Sequence, residues 1–184
     1  MSESGLTPPV SARDHIAGLD NAPVTLVEYG DFECPYCGMA HPVVRRAQRE
    51  LGDQLRLVFR HFPLAEAHPH AQLAAQAAEA AGAHERFWEM HDTIFEHQDA
   101  LEVEDLIGYA KSLGLDAGQM AQDLEAGTYL KRVRDDFRSG VRSGVNGTPT
   151  FFINGVRYDG SWANEKAFVG ALRDATRHSV EASA

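Results

Sequence analysis

Residues 22–38 read APVTLVEYGDFECPYCG, and the change of pattern inside this stretch decides the fold. Val24 to Tyr29 is a short β-branched and aromatic run, the kind that forms a strand buried on both faces. Glu28 interrupts that run, and an acid there either lies on a solvated face or is buried at a cost. From Gly38 to Leu51 the apolar period becomes helical, with Val43, Val44, Ala47 and Leu51 on one side. Cys34 and Cys37 therefore stand where a strand hands over to a helix. Pro42 falls inside that helix and is expected to kink it. Leu55 to Phe62 supplies a second strand, completing a strand, helix, strand crossover.

Cys34, Pro35, Tyr36 and Cys37 form a CxxC, a spacing that two randomly placed cysteines reach about once in a hundred chains of this length. At the first turn of a helix the two sulfurs can close a small disulfide ring. The helix terminus directs backbone N–H groups and positive potential at the leading one. Cys34 is thus the nucleophile candidate, with a thiol pKa expected to fall from ~8.5 to between ~3.5 and ~7.5, and Cys37 is the resolving thiol. Pro35 suits the first helical position, where its missing N–H is not needed. The competing readings are half of a zinc site and a pair of small core residues. Zinc usually takes four ligands, and the histidines available to complete such a site (His61, His68, His70, His84 and His91) lie at no short ligand spacing from the cysteines. The pattern favours redox chemistry, with no metal.

The rest of the chain sorts into blocks. Residues 1–20, with Pro8 and Pro9, read as a loosely held arm with a mobile start and a short edge strand before Asn21. Ala65 to Ala83 holds ten alanines in nineteen positions and opens a helical block that reaches about residue 145. Phe87, His91, Ile94 and Phe95 line one helix face, and Val103, Leu106, Ile107, Ala110 and Leu113 line the next. Asp116 and Gly127 should cap a third helix, while Val133, Phe137 and Val141 mark a last long one ending near Gly144. Phe87, Trp88 and Phe95 are expected in the core, and His84, His91 and His97 at the surface or its boundary. Thr150 to Ile153 and Val156 to Tyr158 are expected as antiparallel strands about an Asn154-Gly155 turn. A helix over 164–177 and a short polar tail close the chain.

Residues 22–38, together with GVNGTPTFFINGVRYDG at 144–160, closely resemble the DsbA-like thiol-disulfide oxidoreductases of the thioredoxin superfamily. The resemblance covers nearly everything after residue 20. It implies an α/β thioredoxin fold, a mixed central sheet flanked by helices, with an inserted all-helical domain. Residues 1–63 and 146–184 would form the thioredoxin-like domain and 64–145 the insertion. It also implies a loop facing the CxxC in which Thr148 is followed by a cis Pro149, presenting backbone to an extended substrate beside Pro35 and Tyr36. Glu28 would be the family's buried acid, passing the proton of the inner thiol through water. Asp31 and Glu33 are expected to be exposed carboxylates that oppose the thiolate slightly. Tyr36 departs from the strongly oxidising members, which usually carry His there; CPYC is familiar from glutaredoxins. That leaves the direction of electron flow open.

Composition bounds the partners. The 184 residues carry 17 basic and 27 acidic side chains, a net charge of −10, which argues against a nucleic-acid or anionic membrane surface. No run approaches the roughly 20 apolar residues that span a bilayer, and the first thirty residues show no basic start followed by an apolar core. The expectation is a monomeric cytoplasmic enzyme, or a periplasmic one if a leader has been removed. It would act on protein thiols and disulfides or on glutathione, with no cofactor beyond its own cysteine pair. The rival functions are a glutathione-dependent isomerase or transferase on the same fold and a metal-binding or redox-sensing module.

Overall fold

Two strands, β1 (His15–Ala17) and β2 (Val24–Gly30), precede the cysteines in the computed structural model, which describes residues 5–182. Helix α1 (Pro35–Leu51) follows them, running through Pro42 as one helix, and a 3-10 turn at Gly52–Gln54 leads into β3 (Leu55–His61). The helical block holds α2 (Ala71–Gly82), α3 (Phe87–Glu96), α4 (Val103–Ser112), α5 (Ala117–Ala126) and α6 (Leu130–Arg142). The chain ends in β4 (Thr150–Ile153), β5 (Val156–Tyr158) and α7 (Glu165–Ala182).

The five strands form one sheet in the order β1-β3-β2-β4-β5. β2 is central, which explains why Val24, Leu26, Val27 and Tyr29 are all buried rather than alternating. β1–β3, β2–β4 and β4–β5 pair antiparallel, so the helical crossover through α1 makes β2–β3 the parallel pair of a mixed sheet. Asn154 and Gly155 turn at φ 49° and 83°, the two left-handed residues a tight hairpin needs.

The chain groups into two compact units. One comprises the described residues through Tyr29, Met39–Arg60, and those from Ser139 onward; the other comprises Gly30–Gly38 and His61–Arg138. The sequence boundaries differ from this grouping in three places. The segment carrying the cysteines and residues 61–63 go with the helical block, and residues 139–145 go with the sheet.

In the sheet-bearing unit the core is aromatic: Tyr29 meets Phe152 edge-on at 5.9 Å, and Phe151 meets Phe168 of α7 at 5.0 Å. The arm, expected to be loose, is tied down. Arg60, buried in β3, forks its guanidinium onto Asp14 at 2.7 and 3.0 Å and donates to the carbonyls of Pro8 and Pro9 and to the Tyr29 hydroxyl. Burial opposes the Arg60 charge, yet the Asp14 and Tyr29 bonds outweigh it and raise its pKa. The mobile start lies outside the described residues. The polar tail is also corrected, since helix α7 continues past Arg177 to Ala182.

In the helical unit α2 is the hub, packing against α3, α4 and α5. Seven of its alanines are buried, and their small side chains let three neighbours approach one backbone. The helix starts at Ala71 rather than Ala65 because Pro69 bars a helical interior there. Asp116 Oδ1 accepts from the Gln119 N–H at 2.8 Å to start α5, and Gly127 at φ 64° ends it. Val141, one of the residues that mark α6 in the sequence, is exposed.

Candidate functional site

The site begins with the turn that launches α1. Asp31 is 1% exposed, not a surface carboxylate, and its side chain organises that turn. Oδ1 accepts from the backbone N–H of Glu33 at 2.8 Å and of Cys34 at 3.2 Å. Oδ2 accepts from the Leu64 N–H at 2.8 Å and lies 2.7 Å from His68 Nδ1. One carboxylate therefore joins the cysteine turn to the loop that follows β3. Glu33, half-buried rather than exposed, makes a second join: it accepts from the His70 N–H at 2.6 Å and lies 2.8 Å from His70 Nδ1. His70 Nε2 reaches Glu102 at 3.1 Å.

Both cysteines are buried, Cys34 at 4% exposed and Cys37 at 0%, and the Cys37 sulfur accepts from the Asp31 N–H at 3.5 Å. Cys34 immediately precedes the helix and Pro35 is its first residue, so the leading sulfur lies at the positive end of α1. Tyr36 is 62% exposed and Pro35 is exposed, leaving the dipeptide open to a partner.

Gln98 completes the turn from the other side. Its amide donates to the carbonyls of Phe32 at 2.8 Å and Cys34 at 2.9 Å. It sits so close to α1 that a Cβ on Gly38 would collide with its Oε1. Phe32 anchors the segment among aromatic rings: Phe95 at 4.8 Å, His91 at 5.6 Å and His61 at 5.9 Å. His91 is thus no surface residue; at 2% exposed it belongs to the inward stripe of α3 with Phe87, Met90, Ile94 and Phe95. His84 and His97 are exposed, and Trp88 is half-buried beside His91. Gln98 carries no sequence signal of its own, Asp31 reads in the sequence as an exposed carboxylate, and His68 and His70 appear there only as possible zinc ligands.

The two histidines gain basicity from this arrangement. At His68 burial works against the charge, but the Asp31 bond, the Asp31 charge and the charges of Cys34 and Glu33 together raise its pKa above 6.5. At His70 the bond to Glu33 dominates, with Glu102 assisting against a little desolvation, and the pKa again rises.

The remaining sequence-nominated residues lie in the sheet-bearing unit. Glu28 is 2% exposed in β2 and pairs across the ladder with Phe151 of β4. Thr148 and Pro149 are half-buried just before β4, and the bond between them is cis. Tyr29 lies opposite Thr150, so β2 and β4 bring Glu28 and this loop to the same part of the sheet.

One buried group has the donor types of a metal site: His61, Glu79 and Asp136. Its members are already partnered within the protein. His61 Nε2 lies 2.7 Å from Glu79, the His61 N–H reaches Asp136 at 3.1 Å, and the Arg132 guanidinium bonds Asp136 and stands 3.9 Å from Glu79. Burial raises the Asp136 pKa against the pull of His61 and Arg132. A guanidinium on both carboxylates makes this an internal ion network, ill suited to a cation.

A family model described as thioredoxin matches residues 11–172. The chain belongs to the thioredoxin family. Among solved structures, this thioredoxin-family chain resembles oxidised BdbD from Bacillus subtilis at TM-score 0.80 and 24% identity, covering 90% of this chain and 94% of that one. It also matches α-DsbA1 from Wolbachia pipientis at TM-score 0.84 and 19% identity, over the whole of both chains. Its fold is therefore that of the DsbA-like members, as the sequence motifs implied. A relative in Salinispora arenicola, named Na(+)/H(+) antiporter NhaA 1, is 48% identical over 163 residues. These residues are 89% of this thioredoxin-family chain and 25% of the antiporter, so the chain spans about a quarter of that relative's length. No described helix is long and apolar enough to cross a membrane.

Proposed function

We propose that the chain is a thiol-disulfide oxidoreductase that exchanges disulfides with protein substrates through Cys34 and Cys37. The observation that carries this reading is the CxxC at the start of α1, with the leading cysteine at the positive helix end beside an exposed Pro35-Tyr36 pair. In the reducing direction the Cys34 thiolate attacks one sulfur of a substrate disulfide. A mixed disulfide forms, and the other substrate sulfur leaves as a thiolate that takes up a proton. Cys37, as its thiolate, then attacks the Cys34 sulfur, closing the Cys34–Cys37 disulfide and releasing the second substrate thiol. Two electrons pass from the cysteine pair to the substrate, and the same steps reversed oxidise a dithiol.

Glu28 is assigned the proton traffic of Cys37, supported by its burial in the strand that leads to the turn. Thr148 and Pro149 are assigned the substrate backbone, supported by their place before β4. Glutathione is the proposed small electron partner, and the protein is taken to act as a cytoplasmic monomer without a bound cofactor. No ion transport is carried over from the antiporter relatives, because the match covers only a quarter of their length. Cys34→Ser is expected to abolish insulin reduction by the purified protein. Turnover within a few-fold of the parent in that variant would overturn the assignment.

A further inference from the structure

Two acids flank the leading cysteine, Asp31 three residues before it and Glu33 next to it. A thiol so placed would ionise reluctantly, since each carboxylate repels the thiolate. Tyr36 inside the CxxC brings no cation to offset them. In a second segment, His68-Pro69-His70, each histidine meets one of the acids. His68 Nδ1 lies 2.7 Å from Asp31 and His70 Nδ1 lies 2.8 Å from Glu33, both across 37 residues of sequence. The two pairs differ in exposure. The Asp31 side chain is fully buried under a His68 that is one-fifth exposed, while His70 is one-third exposed and shared with the open Glu102. Screening weakens the second pair more than the first.

We propose that His68 is a positioning residue for the redox reaction: its imidazolium, held on Asp31, supplies the positive charge that keeps the Cys34 thiolate populated. This inference rests on Cys34 being the attacking thiol. The charged groups facing His68 are Asp31, Glu33 and Cys34, and those facing its neighbour His70 are Glu33 and Glu102. The Cys34 charge is one of the influences that make His68 more basic, and the coupling between two titrating groups is mutual. A protonated His68 therefore favours the thiolate by the amount that the thiolate favours His68. While His68 is protonated, Asp31 is neutralised and the reduced form is stabilised. As pH rises through the His68 pKa, the Asp31 charge is uncovered and the disulfide form gains.

The test has two arms. In the parent protein, the His68 ring is titrated by NMR in the reduced and the disulfide forms. The expected result is a lower His68 pKa in the disulfide form, where the thiolate charge is gone; equal values would overturn the proposal with no mutation involved. In the second arm, iodoacetamide alkylation of Cys34 is followed against pH in His68→Gln, which keeps a donor for Asp31 but no charge. The alkylation midpoint is expected to rise by about 0.5–1 pH unit, below the shift of a charge in direct contact because His68 works through Asp31. The equilibrium with glutathione is expected to move about three- to tenfold toward the disulfide, the same shift expressed as a ratio. An unchanged midpoint and equilibrium in a folded variant would overturn the proposal. Failure of the reading beneath it looks different: Cys34→Ser would keep its turnover, whatever His68 does.

Discussion

Replacing Asp31 by asparagine tests whether one buried carboxylate holds the cysteine turn to the loop after β3. Asp31 accepts four hydrogen bonds, two at each oxygen, whereas an amide offers one oxygen and one NH2. With its oxygen kept on the N–H groups of Glu33 and Cys34, the amide turns its NH2 toward the Leu64 N–H and His68 Nδ1. A neutral His68 can accept that donor, but the Leu64 N–H cannot. The loss is one bond to a charged acceptor, about 1.5–3 kcal/mol, plus weakening of another by about 1 kcal/mol, so about 2.5–4 kcal/mol in all. The flipped amide leaves both turn N–H groups facing a donor and is worse. Urea unfolding of the parent and Asp31→Asn, with the cysteines held in one redox state, measures the difference. Its pH dependence has a definite sign. The folded His68 pKa lies above 6.5, so the ion pair with Asp31 stabilises the parent fully below the unfolded value and fades as pH rises through the folded one. The gap between the two proteins should be wider at pH 6 than at pH 9. A gap below about 1 kcal/mol, less than a single bond to a charged group, or one that widens with pH, would refute the reasoning.

Gly38→Ala should destabilise the protein by about 1–2 kcal/mol, because the new Cβ displaces the Gln98 amide from the Phe32 and Cys34 carbonyls and outweighs the usual helical gain. Gly108→Ala, in α4 with nothing within 4 Å, should instead stabilise it by about 0.5–1 kcal/mol; denaturant midpoints of equal sign in the two variants would contradict the contact at Gln98. Asp14→Ala leaves the buried Arg60 charge without its carboxylate and should lower stability by about 3–5 kcal/mol in chemical denaturation. A loss under about 1 kcal/mol there would mean that the pair behaves as a solvated one.

The parts legible in the sequence are those set by neighbours in the chain. The run from Val24 to Tyr29, the handover at Cys34, the turn at Asn154-Gly155 and the cap at Asp116 are local patterns, and each lies where its pattern placed it. Alanine content alone suggests a helix from Ala65, whereas Pro69 holds the start of α2 back to Ala71. Residue type suggests the surface or its boundary for His91, whereas its spacing with Phe87, Ile94 and Phe95 puts it in the stripe that carries Phe32. Asp31 and Glu33 read as exposed because their partners, His68 and His70, are 37 residues away in a loop with no period to reveal them. Gln98 was invisible for the same reason, since an isolated amide after a helix carries no pattern and gains its meaning only from the carbonyls it meets.

The sheet ends in β1 on one side and β5 on the other, each three residues long. A strand edge is a template on which a stranger's backbone can grow, and long flat templates invite polymerisation. Along β5 the row is already taken in part: Gly5 bridges to Val156, and the Leu6 N–H binds the Gly155 carbonyl at 2.9 Å. The Arg60 fork keeps that cover in place through Pro8 and Pro9. Among the described residues, molecules that collide in a crowded solution thus meet short or partly occupied ladders, a geometry that, with shared negative charge, disfavours zipping into fibres.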